Sequence, residues 1–371
     1  MSQQFGGAIE SDNEGGSPPS RPTRSDISGI QYLRGFAALI VVIYHLSLQW
    51  RKMVPASPVY ETLQSGVDVF FLISGFVMVY STHGGSKLPA SEFMIHRIVR
   101  IVPLYWAITF ATAAILIAVP SAATVVRLDG GLLAASLFFV PYANSATQDY
   151  TPLVIVGWTL NYEMLFYVVF ALCIWLGRRR PAVVIFATLA VLALLPVVGL
   201  MLKPEGLATY FTSPMLLEFA VGMVVALAFG PASRLPLLGA MFLAAIGAAW
   251  LILPPPGEPA MRVIRFGPPA VLLLLAALQG GPPKLRWAQR LGDISYSLYL
   301  SHFLLLAGFA AAWKRAYPGA GSLSHVLFFF TGTAMALVTG YLCWRWVERP
   351  LTRYAKQLFA RNGLKLNAGA Q

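Results

Sequence analysis

The sequence predicts an all-α protein that crosses a membrane about ten times. Its 371 residues are 57% hydrophobic and only 11% charged, whereas a soluble domain has roughly 25% charged residues. Mean hydropathy is +0.67, and the apolar residues form runs close to the ~20 residues that a helix needs to cross a bilayer. The basic residues that give the chain its net charge of +12 lie mostly between these runs. This arrangement fits the cationic loops of a membrane protein better than a nucleic-acid-binding surface.

Ten apolar runs are predicted to be membrane-spanning helices. They lie at residues 30–49, 64–82, 101–121, 160–177, 182–202, 209–229, 236–253, 264–280, 293–313 and 323–346. One more apolar run, at 131–142, is too short to span and is predicted to be a re-entrant or interfacial segment. We find no internal repeat.

The distribution of Lys and Arg predicts the orientation of the chain. With a cytoplasmic N-terminus and alternating spans, 18 of the 27 basic residues fall on the cytoplasmic side, eight on the opposite side, and Arg34 within the first span. This bias follows the positive-inside rule and predicts that both termini are cytoplasmic. If 131–142 were a span, Arg178 to Arg180 would move outside, against the rule.

The ends of the chain are polar, and the region between them is predicted to be a single membrane domain. Residues 1–28 are rich in Ser, Gly, Pro and charge, which predicts a disordered cytoplasmic tail rather than a signal peptide. Residues 29–355 form the membrane domain and 356–371 a second cytoplasmic tail. The two cysteines, Cys173 and Cys343, lie inside apolar runs and indicate neither a disulfide framework nor a metal site.

The first span carries two polar residues that are costly in a bilayer, Arg34 and His45. An Arg at the centre of a transmembrane helix costs about 2.5–3.5 kcal/mol on insertion scales. Eleven residues correspond to about 20° more than three helical turns, so both side chains lie on one helix face, about 16 Å apart along the axis. Ionisable residues at this depth are usually functional, and we interpret both as catalytic candidates.

Two carboxylates are predicted to lie at a depth similar to that of His45. Asp68 is near the start of the second span, and Glu163 is near the start of the fourth. A carboxylate beside an imidazole orients it and favours its charged form, which is a common way to make a general base. Asp68 and Glu163 are therefore catalytic candidates, although positions near the membrane interface also allow purely structural roles.

Arg97 and Arg100 precede the third span and are three residues apart, so they share a helix face. Paired guanidinium groups suit a ligand that carries phosphate. Basic residues at a cytoplasmic helix end also anchor helices to anionic lipid, so spacing alone leaves both interpretations open.

Four further polar groups in or beside spans are less specific. Glu218 lies near the middle of the sixth span and indicates a lined cavity or an ionic partner. Ser74 is interpreted mainly as part of a packing notch, His302 as a packed core histidine, and Glu348 as part of a helix end.

Six short motifs lie in order along the chain. They are Arg34-Gly35 with His45, GVDVFFLISGF from Gly66, RIVR from Arg97 with PLYW from Pro103, WTLNYEMLFY from Trp158, GDISYSLYLSHF from Gly292, and WVERP from Trp346. Together, over about residues 28–355, they resemble the acyltransferase 3 family of integral membrane acyltransferases. The first two motifs are most similar to those of rhizobial exopolysaccharide-production O-acetyltransferases.

This resemblance implies ten spans and O-acylation of a carbohydrate hydroxyl, with acetyl-CoA as the usual donor. It also implies that Arg34 and His45 are essential and that Arg97 and Arg100 lie on the cytoplasmic donor side. The expected acceptor is an exopolysaccharide or its lipid-linked precursor, and the expected location is the bacterial inner membrane. Any accessory domain is expected to be a separate protein.

Three residues complete the predicted site as substrate-binding candidates, Trp158, Tyr162 and Glu218. His45 either removes the proton of the attacking hydroxyl or carries the acetyl group covalently, and the sequence leaves both open. The alternative function is a transporter or flippase for a polysaccharide precursor, with Arg34, Glu218 and His45 along its path. The lack of a repeat, and of matching Gly- or Pro-broken spans, counts against a transporter.

Overall fold

The protein is all-helical over the residues described by the structure, which is a computed structural model. These residues are 24–82, 88–120, 126–144, 149–178, 180–230, 235–252, 262–279, 285–317 and 321–361, and they contain no β-strand. The helices are α1 (Arg24–Met53), α2 (Gly66–Thr82), α3 (Ala90–Ala118), α4 (Gly130–Leu137), α5 (Trp158–Leu176), α6 (Pro181–Leu202), α7 (Leu207–Phe211), α8 (Leu216–Ala228), α9 (Leu237–Ile252), α10 (Arg262–Leu278), α11 (Arg286–Ala316), α12 (Ser322–Cys343) and α13 (Arg349–Arg361).

Eight helical stretches in the described chain are long and apolar enough to cross a membrane, so this is a multi-pass membrane protein. They are Ser28–Met53, Glu61–Thr82, Ala90–Ala118, Ile155–Leu176, Pro181–Leu202, Leu207–Ala228, Arg286–Ala316 and Ser322–Arg361. The other two predicted spans, 236–253 and 264–280, form α9 and α10, with 16 and 17 residues. The total of ten spans and the cytoplasmic placement of both termini remain predictions.

Several helices continue beyond the apolar runs that predict them. α3 begins at Ala90 rather than at 101, and α11 begins at Arg286 rather than at 293. α12 passes through one π-helical turn, Trp344–Glu348, into α13. Hydropathy falls at these charged ends, but Arg, Lys and Glu are good helix formers and the backbone continues in the same conformation.

The first part of the short apolar run at 131–142 lies in α4 (Gly130–Leu137), whose eight residues span only about 12 Å. The Asp129 side chain caps it by accepting a hydrogen bond from the Leu132 N–H at 2.8 Å. The Trp106 indole of α3 donates to the Leu137 carbonyl at 2.8 Å and holds α4 against the bundle. The re-entrant or interfacial position of this segment stays a prediction.

The central helix contact joins α1 to α11 through glycines. A Cβ added at Gly292 would lie 2.2 Å from the Gln31 carbonyl oxygen, and one at Gly35 would lie 2.8 Å from the Gly292 nitrogen. Real Cβ atoms do not approach backbone atoms so closely, so only glycine allows these two backbones to meet. This seam places polar residues of α1 beside polar residues of α11.

A second close contact joins α2 to α8. A Cβ at Gly75 would lie 2.0 Å from the Phe219 carbonyl oxygen, and one at Gly222 would lie 2.1 Å from the Leu72 carbonyl oxygen. The contact is reciprocal, as in small-residue packing between membrane helices. It brings the first turn of α2 beside the first turn of α8.

The outer faces of the helices are apolar, as lipid contact requires. Leu200, Leu238 and Phe330 are 72–79% exposed. Apolar side chains on the surface of a polytopic protein meet lipid tails rather than water. Polar side chains therefore collect inside the bundle, where the candidate site lies.

Candidate active site

Arg34 and His45 lie on α1 along its seam with α11, and both side chains are half-buried. Between them the helix is packed: Ala37, Ala38 and two valines, at 41 and 42, are at most 1% exposed. Arg34 opens into a cavity at one end of the bundle, whereas His45 contacts the middle of α11. The two residues thus mark separate parts of the site.

His45 pairs with a second histidine. Its Nδ1 lies 2.9 Å from the Val41 carbonyl oxygen and 3.3 Å from Nε2 of His302. The two rings meet edge to face with centroids 4.9 Å apart, and Phe303 also contacts the His45 ring edge to face. His302 is fully buried, and its Nδ1 lies 3.0 Å from the Leu298 carbonyl oxygen.

Sequence reasoning treats His302 as a packed core histidine and expects a carboxylate beside His45. The sequence does contain a signal that His302 has a polar partner, since a buried histidine in a membrane helix is costly without one. The missing information is the rotation of α11 relative to α1, which hydropathy does not specify. In the described chain, the hydrogen bonds of His45 go to Val41 and His302.

Asp68 lies in a different cluster. Its Oδ2 accepts a hydrogen bond from Arg262 of α10 at 2.6 Å. Arg262 also donates to Gln64, both to the side-chain amide oxygen and to the backbone carbonyl oxygen. Glu218 of α8 belongs to the same cluster, and both carboxyl groups are buried. One guanidinium therefore lies beside two buried carboxyl groups.

Glu163 lies in a third polar cluster, formed by α2, α3 and α5. Its Oε1 accepts hydrogen bonds from Ser74, at 2.8 Å, and from the Tyr167 hydroxyl. Arg97 lies over the rings of Phe93 and Tyr167, 5.5 and 5.7 Å from their centroids, and is only 6% exposed. The structure joins Glu163 to Arg97 through Tyr167 and keeps it apart from the hydrogen bonds of His45.

A cavity of about 420 Å³ opens at the end of the bundle that holds Arg34. Its walls come from α1, α3, α11, the π-helical turn and α13. The lining residues are Gln31, Arg34, His96, Val99, Arg100, Gly292, Asp293, Tyr296, Trp344, Glu348, Arg349, Thr352, Arg353 and Lys356. Volumes of 300–1,000 Å³ are usual for small-molecule sites.

The cavity is cationic. Its basic side chains are Arg34, Arg100, Arg349, Arg353 and Lys356, and its acidic side chains are Asp293 and Glu348. None of these five cations forms a close ion pair with a described acidic residue. The excess of positive charge in a concave, low-dielectric site attracts a polyanion, and Arg in particular suits phosphate.

The π-helical turn shapes one wall of this cavity. The wider turn between Cys343 and Arg349 presents Trp344 and Glu348 to the cavity, and such turns are frequent at functional sites. Ser297 of α11 donates to the Glu348 carboxylate at 2.6 Å, and Arg349 lies over the Trp344 ring. Sequence reasoning gives Glu348 only a helix-ending role and places much of α13 in a tail.

The structure separates Arg97 from Arg100. Arg100 lines the cavity, whereas Arg97, on the preceding turn of α3, is buried against α5. Residues three apart on a helix differ by about 60° in direction. In a tightly packed bundle, this angle is enough for the two side chains to contact different neighbours.

Trp158 and Tyr162 belong to an aromatic group with Phe71 of α2 and Tyr210 of α7. Tyr162 stacks on Tyr210 with centroids 4.2 Å apart, and the Tyr210 hydroxyl donates to the Trp158 carbonyl at 3.0 Å. Phe71 of α2 contacts both Trp158 and Tyr162 edge to face. Tyr162 is buried, while Trp158 is half-buried.

Among the residues that the structure describes, no group of three or more His, Cys, Asp and Glu side chains is arranged to hold a metal ion. Of the acid pair Asp68 and Glu218, Asp68 is already bonded to Arg262.

Comparison with known proteins defines the class. The acyltransferase domain model of the acyltransferase 3 family matches residues 27–345. The chain therefore belongs to this family and is a membrane acyltransferase. No solved structure matches it.

Two curated relatives cover most of the chain. The exopolysaccharide production protein ExoZ of Rhizobium meliloti (strain 1021) is 33% identical over 311 residues, which cover 81% of this chain and 93% of the relative. The acyltransferase MdmB of Streptomyces mycarofaciens is 30% identical over 372 residues, which cover 86% of this chain and 90% of the relative.

Proposed function

We propose that this protein is an O-acetyltransferase of the bacterial inner membrane. It moves an acetyl group from acetyl-CoA to a sugar hydroxyl of an exopolysaccharide or its lipid-linked precursor. On the donor side, the proposal rests on the cationic cavity, since CoA has several phosphate groups and a narrow, neutral arm. The similarity to an exopolysaccharide production protein supports the choice of acceptor.

The donor enters from the cytoplasm in this proposal. With both termini cytoplasmic, the cavity faces the compartment that contains acetyl-CoA. Arg100 and the α13 residues Arg349, Arg353 and Lys356 hold the phosphates. Arg34, which lines the same cavity, draws the anionic donor toward α1, and the thioester has to part the packed α1–α11 seam to reach His45.

His45 performs the proton transfer. It removes the proton of the attacking sugar hydroxyl while that oxygen attacks the thioester carbonyl, and its side chain is half-buried and accessible. The carbon–sulfur bond then breaks, and the CoA thiolate leaves with the proton that His45 returns. In a covalent variant, the acetyl group resides on His45 before it reaches the sugar.

The remaining predicted residues support these steps. Arg97 supports the donor side of the site indirectly. It packs on the Tyr167 ring, and the Tyr167 hydroxyl holds Glu163 in place. Asp68 and Glu218 fix the junction of α2, α8 and α10 near the acceptor. Trp158 and Tyr162 offer aromatic surface to the sugar, whose C–H groups pack on such rings.

The test is acetyl transfer by purified protein. Labelled acetyl-CoA is supplied with polymer or lipid-linked acceptor, and label on carbohydrate and free CoA are both measured. His45→Ala and Arg34→Ala abolish both signals in this scheme, while His325→Ala serves as a matched control, because His325 stacks on Trp50 outside the site. Full activity of either site variant contradicts the scheme. Substrate flux without label transfer supports a transporter instead.

A further inference from the structure

We propose that His302 is a positioning residue for His45, holding the His45 ring so that its Nε2 is the atom that takes the proton. The inference rests on the proposed function, in which His45 is the general base. It assigns a role to a residue that sequence reasoning treats as core packing. Its basis is the hydrogen-bond geometry of two rings on α1 and α11.

The hydrogen of His302 is fixed by its own helix. Nδ1 lies 3.0 Å from the Leu298 carbonyl oxygen, which only accepts hydrogen bonds, so Nδ1 carries the hydrogen. The ring is fully buried and contacts a carbonyl, an imidazole and the Tyr299 ring, none of them anionic. A buried ring without an anionic partner is neutral, so Nε2 keeps its lone pair.

That lone pair faces His45. Nδ1 of His45 lies 3.3 Å from Nε2 of His302 and 2.9 Å from the Val41 carbonyl oxygen. Both neighbours accept, so His45 Nδ1 carries a hydrogen that the two acceptors share. The second His45 nitrogen, Nε2, therefore has the free lone pair that a general base needs. Since His302 is buried and His45 is half-buried, His45 is the ring that meets the substrate.

The arrangement also suits the charged intermediate. When the sugar O–H bond breaks and a proton joins His45 Nε2, positive charge spreads to Nδ1–H. This group already points at a carbonyl oxygen and an imidazole lone pair, two neutral acceptors that stabilise it without a prior charge to neutralise. In many general-base histidines a carboxylate fills this position. Here Asp68 is held by Arg262, and Glu163 by Ser74 and Tyr167.

Two substitutions separate positioning from packing. His302→Phe keeps a planar ring and the edge-to-face contact but removes the acceptor. His302→Gln loses the ring but supplies an amide oxygen at about the reach of Nε2. If His302 is purely structural, His302→Phe should lose less activity than His302→Gln. If His302 positions His45, His302→Gln should lose less.

The experiment measures kcat and the KM for acetyl-CoA by CoA release, with wild type, His302→Phe, His302→Gln, His45→Ala and the matched control His325→Phe. We expect His302→Phe to lower kcat about 10- to 100-fold, part of the 10²- to 10⁴-fold that a general base contributes. The KM for acetyl-CoA should stay within about twofold, because no phosphate contact is altered. His302→Gln should recover several-fold over Phe, and His325→Phe should match wild type. Elution as a single monodisperse peak verifies folding.

Each outcome has one meaning. Wild-type kcat in His302→Phe, or equal loss in Phe and Gln, overturns the inference while leaving the proposed function intact if His45→Ala is inactive. Activity in His45→Ala overturns the proposed function itself. If neither His302 variant yields a monodisperse protein, the residue is structural and the inference fails.

Discussion

Arg262 of α10 donates a hydrogen bond to the completely buried carboxylate of Asp68 in α2, across 2.6 Å. The two residues are far apart in the sequence, and their contact ties the short helix α10 to α2. Glu218 adds a second buried carboxyl group to the same place. The guanidinium is therefore the group that makes this acidic pair tolerable inside the bundle.

Removing that guanidinium should destabilise the protein. Breaking a buried ion pair by removing one partner costs about 3–5 kcal/mol, because the other charge stays buried. Since Arg262 is 17% exposed, we expect a loss of about 3 kcal/mol for Arg262→Met, measured as a lower thermal midpoint in detergent. Arg265→Met is the matched control, because Arg265 lies over the same Phe266 ring. The double variant Asp68→Asn with Arg262→Met should recover most of the loss. An unchanged midpoint in Arg262→Met would contradict this account.

Arg100 should contribute mainly to donor affinity. Hydrogen bonds to charged groups contribute about 1.5–3 kcal/mol, so Arg100→Ala should raise the KM for acetyl-CoA about tenfold or more. The effect should shrink at high salt, because the contact is electrostatic. Arg345→Ala is the control, since Arg345 is exposed on the π-helical turn and does not line the cavity. Equal KM values for the two variants would remove the cavity from the donor site.

Arg97 should behave differently from Arg100 despite the three-residue spacing. It lies against two aromatic rings, and cation–π contacts contribute about 2 kcal/mol when desolvated. Arg97→Ala should therefore lower the thermal midpoint and kcat, with little change in the KM for acetyl-CoA. Arg97→Lys should recover part of the stability. A KM increase like that of Arg100→Ala, at wild-type stability, would instead place Arg97 on the phosphates.

The glycine seam between α1 and α11 should not tolerate a methyl group. Gly292→Ala puts a Cβ 2.2 Å from the Gln31 carbonyl oxygen, a backbone atom that cannot rotate away. Overpacking of this kind costs about 1–3 kcal/mol or more, and we expect reduced yield and a lower thermal midpoint. Gly308→Ala, on the same helix with no atom near the added Cβ, should be neutral or slightly stabilising. Equal behaviour of the two variants would disprove the seam.

Features that depend on residues close in the chain could be predicted. Hydropathy finds the eight stretches that are long and apolar enough to cross a membrane, and helical periodicity predicts that Arg34 and His45 share a face. The motifs around these residues are also local, and the family they indicate is the one that the domain comparison shows.

Partners across helices could not be predicted in the same way. Hydropathy does not specify how a helix is rotated against its neighbours, so the pairing of His45 with His302, and of Asp68 with Arg262, has no signal in a single span. The position of α13 could not be predicted for a related reason. A cytoplasmic tail is predicted from residue 356 onward, yet Lys356 lines the cavity together with Arg349 because α13 continues α12 and turns one face inward.

The tightly packed turns of α1 between Arg34 and His45 have a consequence for proton movement. Ala37, Ala38, Val41 and Val42 are at most 1% exposed, so this stretch of α1 offers no wet face between the two polar residues. A proton taken up by His45 therefore has to leave on its own side of this stretch and cannot drain along α1 toward Arg34.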